Sequence, residues 1–209
     1  QGLPAQRLSA ADALPPCPAV PQEAWEPFQA GTELSRDFRC GYDPVLRRPV
    51  VLQRRVGAGP SSQRRDGNGP GRLRWLQSVK DTEGQLWDAW QAPAGAPLSA
   101  LLQKAAPSWS NVLCWLDDLA QELDAAQKDG TMPDELSLDR VWITSNGLAI
   151  LLDHPWPGAP TNGFTTREPQ KLLHHLATQI TDSQRPVHAD ALVDGLRLGS
   201  FERISHVSG

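Results

Sequence analysis

The 209-residue sequence predicts an α+β protein in which short antiparallel strands come first and helices follow. Three observations carry that reading. Between residues 38 and 90 apolar residues come in short runs separated by turn residues, as strands require. From Trp109 to Leu123 they return every three or four positions, the period of a helix. Seventeen glycines and nineteen prolines interrupt the chain too often for a helical bundle or a long coiled coil.

Residues 1–27 hold six prolines and little periodicity, so they read as an extended arm or linker. A β domain is expected over 28–90. The run Phe38–Asp43 and the buried-type Val50, Val51 and Leu52 form a hairpin across the Pro44–Pro49 turn. Gly57–Gly71 lacks an apolar pattern and is expected to be a mobile loop, with Arg54, Arg55, Arg64 and Arg65 on a solvated edge and loop. A second hairpin turns through Asp81–Gly84, with Trp75, Trp87 and Trp90 packed on its faces.

A mainly helical domain is expected over 91–209. A short helix covers Leu98–Lys104. A longer one starts from a cap at Ser108 and ends near Asp129 and Gly130. The strands VWIT and LAILL then pair across Ser145, Asn146 and Gly147. After a Pro/Gly-rich loop, Thr165 and Glu168 stand at capping-box spacing before a helix carrying Leu172, Leu173, Leu176 and Ile180. The tail offers two further short helices, HADALVDGL and SFERISHV.

Charge divides unevenly: residues 1–80 carry 12 Lys/Arg against 7 Asp/Glu, and residues 81–209 carry 8 against 17. The basic half is too weakly charged to point to nucleic acid. Cys17, Cys40 and Cys114 are isolated, without CxxC spacing, which predicts neither a disulfide framework nor a zinc site and favours a reducing compartment. There is no apolar run long enough for a membrane span, and the first residues lack a signal-peptide pattern. The expectation is a cytoplasmic chain without direct membrane insertion. His174 and His175 are adjacent, so on a helix they point apart and do not share a metal. Trp156, in a loop, is the tryptophan expected to be exposed as a partner anchor.

The order of a strand-rich part, a short connector and a long helix leading into a loop and hairpin resembles the protein kinase family, and bacterial Ser/Thr kinases in layout. The segments that carry the resemblance are YDPVLRRPVVLQRR, WDAWQAPAGAPLSALL, LDDLAQELDAAQKDG and TMPDELSLDRVWITSNGLAILLDHP, within residues 30–182. The 16 Arg against 4 Lys suit a GC-rich bacterial genome. The resemblance implies a two-lobed fold: a small antiparallel β lobe with a reduced or missing C-helix, and a truncated, mainly helical second lobe.

At the positions of the family's chemistry the residues depart from what phosphoryl transfer needs. Only Gly31 stands in the stretch of the glycine-rich loop, and Gln53 takes the place of the phosphate-binding lysine. No Glu occurs between Glu33 and Glu83, so the lysine's ion-pair partner is absent too. The catalytic loop carries Glu135 for the base and Arg140 for a metal-binding Asn, placing a cation at a magnesium ligand position. DFG becomes Asp153, His154 and Pro155.

The resemblance therefore implies a pseudokinase without a cofactor or a catalytic residue, acting as a protein-binding, scaffolding or regulatory module. The alternative is a nucleotide switch or unconventional phosphotransferase. It would hold ATP with magnesium through a hinge at Trp87, Asp88, Ala89 and Trp90, with Asp153 as the metal ligand. Similar bacterial segments belong to longer membrane proteins, so a tether through flanking regions, with this domain on the cytoplasmic side, is a further expectation.

Overall fold

In the computed structural model, residues 23–67, 69–161, 163–179, 186 and 189–201 are described. The sheet begins inside the stretch expected to be an arm: β1 (Glu23–Trp25) pairs antiparallel with β2 (Phe28–Ser35). Trp25 explains why, since its ring is 2% exposed and lies 5.0 Å from that of Trp87. Burying so large a ring stabilises the edge pairing by a few kcal/mol. The rest of the arm, residues 1–22, lies outside the described residues.

Four more strands complete this sheet: β3 (Phe38–Asp43), β4 (Arg48–Arg54), β5 (Trp75–Lys80) and β6 (Leu86–Gln91). Their spatial order is β1-β2-β3-β4-β6-β5. The register sets Val51 opposite Cys40 and Trp90, and Gln53 opposite Phe38 and Asp88. Because successive side chains alternate faces, Val50, Leu52, Trp87 and Ala89 build one core with Trp25 and Phe28. Val51, Gln53 and Trp90 are left for the other face.

The segment from Gly57 to Gly71 is not simply a loop. It contains α1 (Ser62–Asp66), capped by Ser61, whose hydroxyl accepts from the Arg64 amide at 3.2 Å. A helix this short has no apolar stripe to dock with; a buried Arg64 side chain holds it instead.

Beyond β6 a second, three-stranded sheet, ordered β7-β8-β9, joins β7 (Gly95–Pro97), β8 (Val141–Thr144) and β9 (Ala149–Leu151). Against it pack α2 (Leu98–Lys104) and the long α3 (Trp109–Lys128). Ser108 caps α3 as its sequence position predicts, accepting from the Asn111 amide at 3.3 Å. The apolar stripe of α3 buries Val112, Leu116, Leu119 and Leu123 in one core with Leu98, Leu151 and residues of α4 (Pro169–Ala177) and α5 (Ala189–Leu198).

Helix α4 starts differently from the expected capping box. Glu168 is the cap residue but makes no side-chain cap bond; its amide donates to Thr166 Oγ1 at 3.0 Å instead. Pro169 at the first helical position keeps the start defined, because its fixed φ suits a helix and it has no amide to satisfy. Of the expected last helix, SFERISHV, residues 202–207 lie outside the described residues.

Two further expectations change. Cys40 is disulfide-bonded, whereas Cys114 is free and exposed. Disulfides persist in oxidising compartments, so the cysteines no longer support a reducing one. Among the described residues no helix is long and apolar enough to cross a membrane.

Candidate functional site

The free face of the larger sheet looks onto the residues that follow β9. Phe38, Val51, Gln53 and Trp90 from the sheet meet Leu73, Leu152, Asp153, His154 and Trp156 around a cleft of about 300 Å³, solvent at its mouth included. Its interior is wide enough for little more than one water. The expectation of an exposed Trp156 fails here: the ring packs 4.4 Å from that of Trp142, beside Ile150 and Leu152.

Asp153 is the centre of the charged part of the site. Arg64 donates to it from Nε at 3.1 and 3.0 Å, reaching both carboxylate oxygens, and from Nη2 to Oδ2 at 2.7 Å. Arg72 Nη2 donates to Oδ1 as well. Arg64 is fixed in turn: Nη2 donates to the Leu73 carbonyl at 2.6 Å, and the guanidinium lies 4.7 Å from the Trp90 ring. A cation over a tryptophan face gains further attraction. The solvated-loop reading therefore fails for Arg64, which is 6% exposed.

Arg72 reaches the site because its backbone runs beside β9. Leu151 donates its amide to the Gly71 carbonyl at 2.8 Å, and Arg72 forms a parallel bridge with Leu151. Glycine is required at 71, since a Cβ there would lie 2.7 Å from both Cβ and Oε2 of Glu122. From α3, Glu122 stands 3.6 Å from Arg72 Nη1. Two buried cations and two half-buried carboxylates thus form one group. Removing one member of such a group is expensive because its partner stays buried and unpaired.

The ionisation follows. Burial pushes the Asp153 carboxyl up, but the bonds from Arg64 and the charges of Arg72 and Arg64 outweigh it and hold the pKa below the ordinary value. Glu122 goes the other way: burial raises it, and the charges of Arg72 and Arg64 only partly offset that.

The other expected site residues fall as follows. Gln53 lines the cleft with Asp153. Arg140, in a short 3-10 turn at Leu138–Arg140, donates from Nη1 to the main-chain carbonyl of Asp153. Glu135 is exposed and does not line the cleft.

The hinge expected at Trp87–Trp90 is misplaced. These residues lie within β6, paired on one side with β4 and on the other with β5, so this backbone is committed to the sheet. Trp87 and Ala89 face the core, and only Trp90 lines the cleft. Asp88 is taken by Arg55, Trp75 and Ser78. The connector after β6 is also engaged: the Ala92 amide donates to Pro49, the Ala94 carbonyl accepts from Ser145, and Pro93 has no amide.

Nothing in the sequence singles out Arg72 or Glu122, and it offers Arg64 only as part of a solvated loop. Their one signal was an arginine-rich stretch with few carboxylates near it in sequence, which asks for partners elsewhere. Among the described residues no group of three or more His, Cys, Asp and Glu is placed to hold a metal ion.

The strand order and the helices beyond it fit a protein kinase-like fold. A solved structure bears this out: Rad53 1-466 in complex with AMP-PNP matches with a TM-score of 0.66 over 87% of this chain, at 11% identity. This chain spans 64% of the length of that one. No family model and no curated protein matches the sequence.

Proposed function

We propose that this chain is a two-lobed, kinase-like domain that does not transfer phosphate and that acts by binding a protein partner, as a scaffold or regulator. One observation carries the reading: the carboxylate that the resemblance would assign to magnesium already accepts from Arg64 and Arg72. A metal ion there would have to displace two guanidinium groups, leaving Arg64 buried without its ion-pair partner and Arg72 with Glu122 alone. The magnesium of the fold family therefore does not fit these residues. Support also comes from Gln53, which brings no charge to a phosphate, and from the narrow cleft. Helix α1 stands for the reduced C-helix in this reading, and it holds Asp153 in place of the family's lysine and glutamate pair.

Thermal unfolding with millimolar ATP and Mg²⁺ or Mn²⁺ tests the proposal, since a ligand that prefers the native state must raise its stability. The expected result is no shift, and no labelled phosphate transferred to the chain or to a generic protein substrate. A metal-dependent rise abolished by Asp153→Ala would overturn it in favour of a nucleotide switch or an unconventional phosphotransferase.

A further inference from the structure

Arg72 is surrounded in an unusual way. Its two terminal nitrogens face three oxygens brought from three parts of the chain. Asp153 follows β9, Glu122 stands on α3 with Oε1 3.6 Å away, and the carbonyl of Thr131, after α3, accepts from Nη1 at 3.3 Å. Its Nε is buried with no hydrogen-bond partner among the described residues. The oxygens thus converge on the tip of the fork and leave its stem unserved. A pocket shaped around a whole guanidinium would serve Nε as well. Two carboxylates and a carbonyl around the two terminal nitrogens of one fork are oxygen donors of the kind a hard divalent cation takes.

We propose that Arg72 is a built-in cation: its guanidinium fills an oxygen cage formed by Asp153, Glu122 and Thr131, and so replaces a divalent metal. The inference rests on the reading of this domain as one that does not use magnesium, and it adds the reason. The cage keeps the donors of a metal site, and the chain supplies the charge. Because Arg72 is tied to β9 through the Leu151–Gly71 bond, the substitute cation cannot leave as a metal ion does. Arg64 closes the other side of Asp153 and stays in place when Arg72 is changed.

The test is Arg72→Ala, which vacates the fork and keeps all three oxygens. Thermal unfolding is followed in metal-free buffer and in millimolar Mn²⁺, without nucleotide. The wild type is expected to show no Mn²⁺ response. The variant should unfold at a lower temperature and regain about 5 °C or more in Mn²⁺, the shift for a ligand at roughly a hundred times its dissociation constant. Arg72→Ala with Asp153→Asn should lose the response. If Arg72→Ala does not fold without metal, refolding with Mn²⁺ is the readout, and folded protein appearing only with the ion supports the cage. Equal behaviour with and without Mn²⁺ overturns the inference, as does a response that survives Asp153→Asn or one shown by the wild type. The experiment omits ATP, so it fails independently of the nucleotide test.

Discussion

Arg64 and Asp153 are 89 residues apart in sequence and meet with Nη2 2.7 Å from Oδ2. The contact ties a five-residue helix, too short to be stable by itself, to the residues that follow β9, and adds to its Ser61 cap and the Leu73 bond.

Replacing Arg64 with Ala is therefore expected to cost about 3 kcal/mol, the low end for breaking a buried pair, because Arg72 still neutralises Asp153. Arg64→Lys should recover less than half. An ammonium cannot bond both carboxylate oxygens and the Leu73 carbonyl in one plane, nor lie flat against Trp90. Urea denaturation of the two variants measures both numbers, and a lysine variant as stable as the wild type would argue against the planar contact.

Acid should unfold the protein partly through Asp153 and Asp88. At Asp88 burial raises the pKa, but bonds from Arg55, Trp75 and Ser78 overcome it, so the folded value lies below the ordinary 3.8. Asp153 is lowered by its two arginines in the same sense. A depressed folded pKa gives stability that is present above the unfolded pKa and is lost as pH falls through the folded one. The loss should begin below about pH 4–5. Asp88→Asn lowers stability at neutral pH and flattens the acid limb; a limb of unchanged slope would show that Asp88 does not contribute to it.

What could be read from the chain follows the range of the forces involved. Helices α2 and α3 were placed within a residue or so, because a serine cap and an apolar period act over a few positions. The β3–β4 and β5–β6 hairpins were legible for the same reason. Helix α1 was invisible, since its main support is an ion pair with a residue 89 positions away. Gln53 and Asp153 were found through the resemblance and do share the cleft. Glu122 was not, because on α3 it sits among other carboxylates and only the fold turns it toward Arg72.

Glu122→Gln tests the opposite sign. Burial raises the folded pKa of Glu122 above 4.5, so its contribution to stability is full below the unfolded pKa and is lost as pH rises through the folded one. Glutamine imitates the protonated side chain and keeps an acceptor for Arg72. The variant should thus gain on the wild type as pH rises from about 4 to 7. Urea midpoints at the two ends measure this, and a gap that widens against the variant with rising pH would contradict it.

Two glycine substitutions separate close packing from backbone conformation. A Cβ on Gly95 would lie 2.2 Å from the Ile143 carbonyl oxygen and 2.5 Å from Trp142 Nε1. The first is backbone within the β7–β8 pair, so it cannot move without opening the strands. At Gly84, in the β5–β6 turn, φ is +83° and nothing stands within 4 Å, leaving only the strain of a left-handed residue. Gly84→Ala should cost about 1 kcal/mol and lower the midpoint by roughly 2–4 °C. Gly95→Ala should cost about 3 kcal/mol or more, since overpacking against fixed backbone has no relaxed alternative. Calorimetry on both variants gives the ratio directly. Equal shifts would mean that the second sheet yields at β7, and that the contact between β7 and β8 is looser than its geometry.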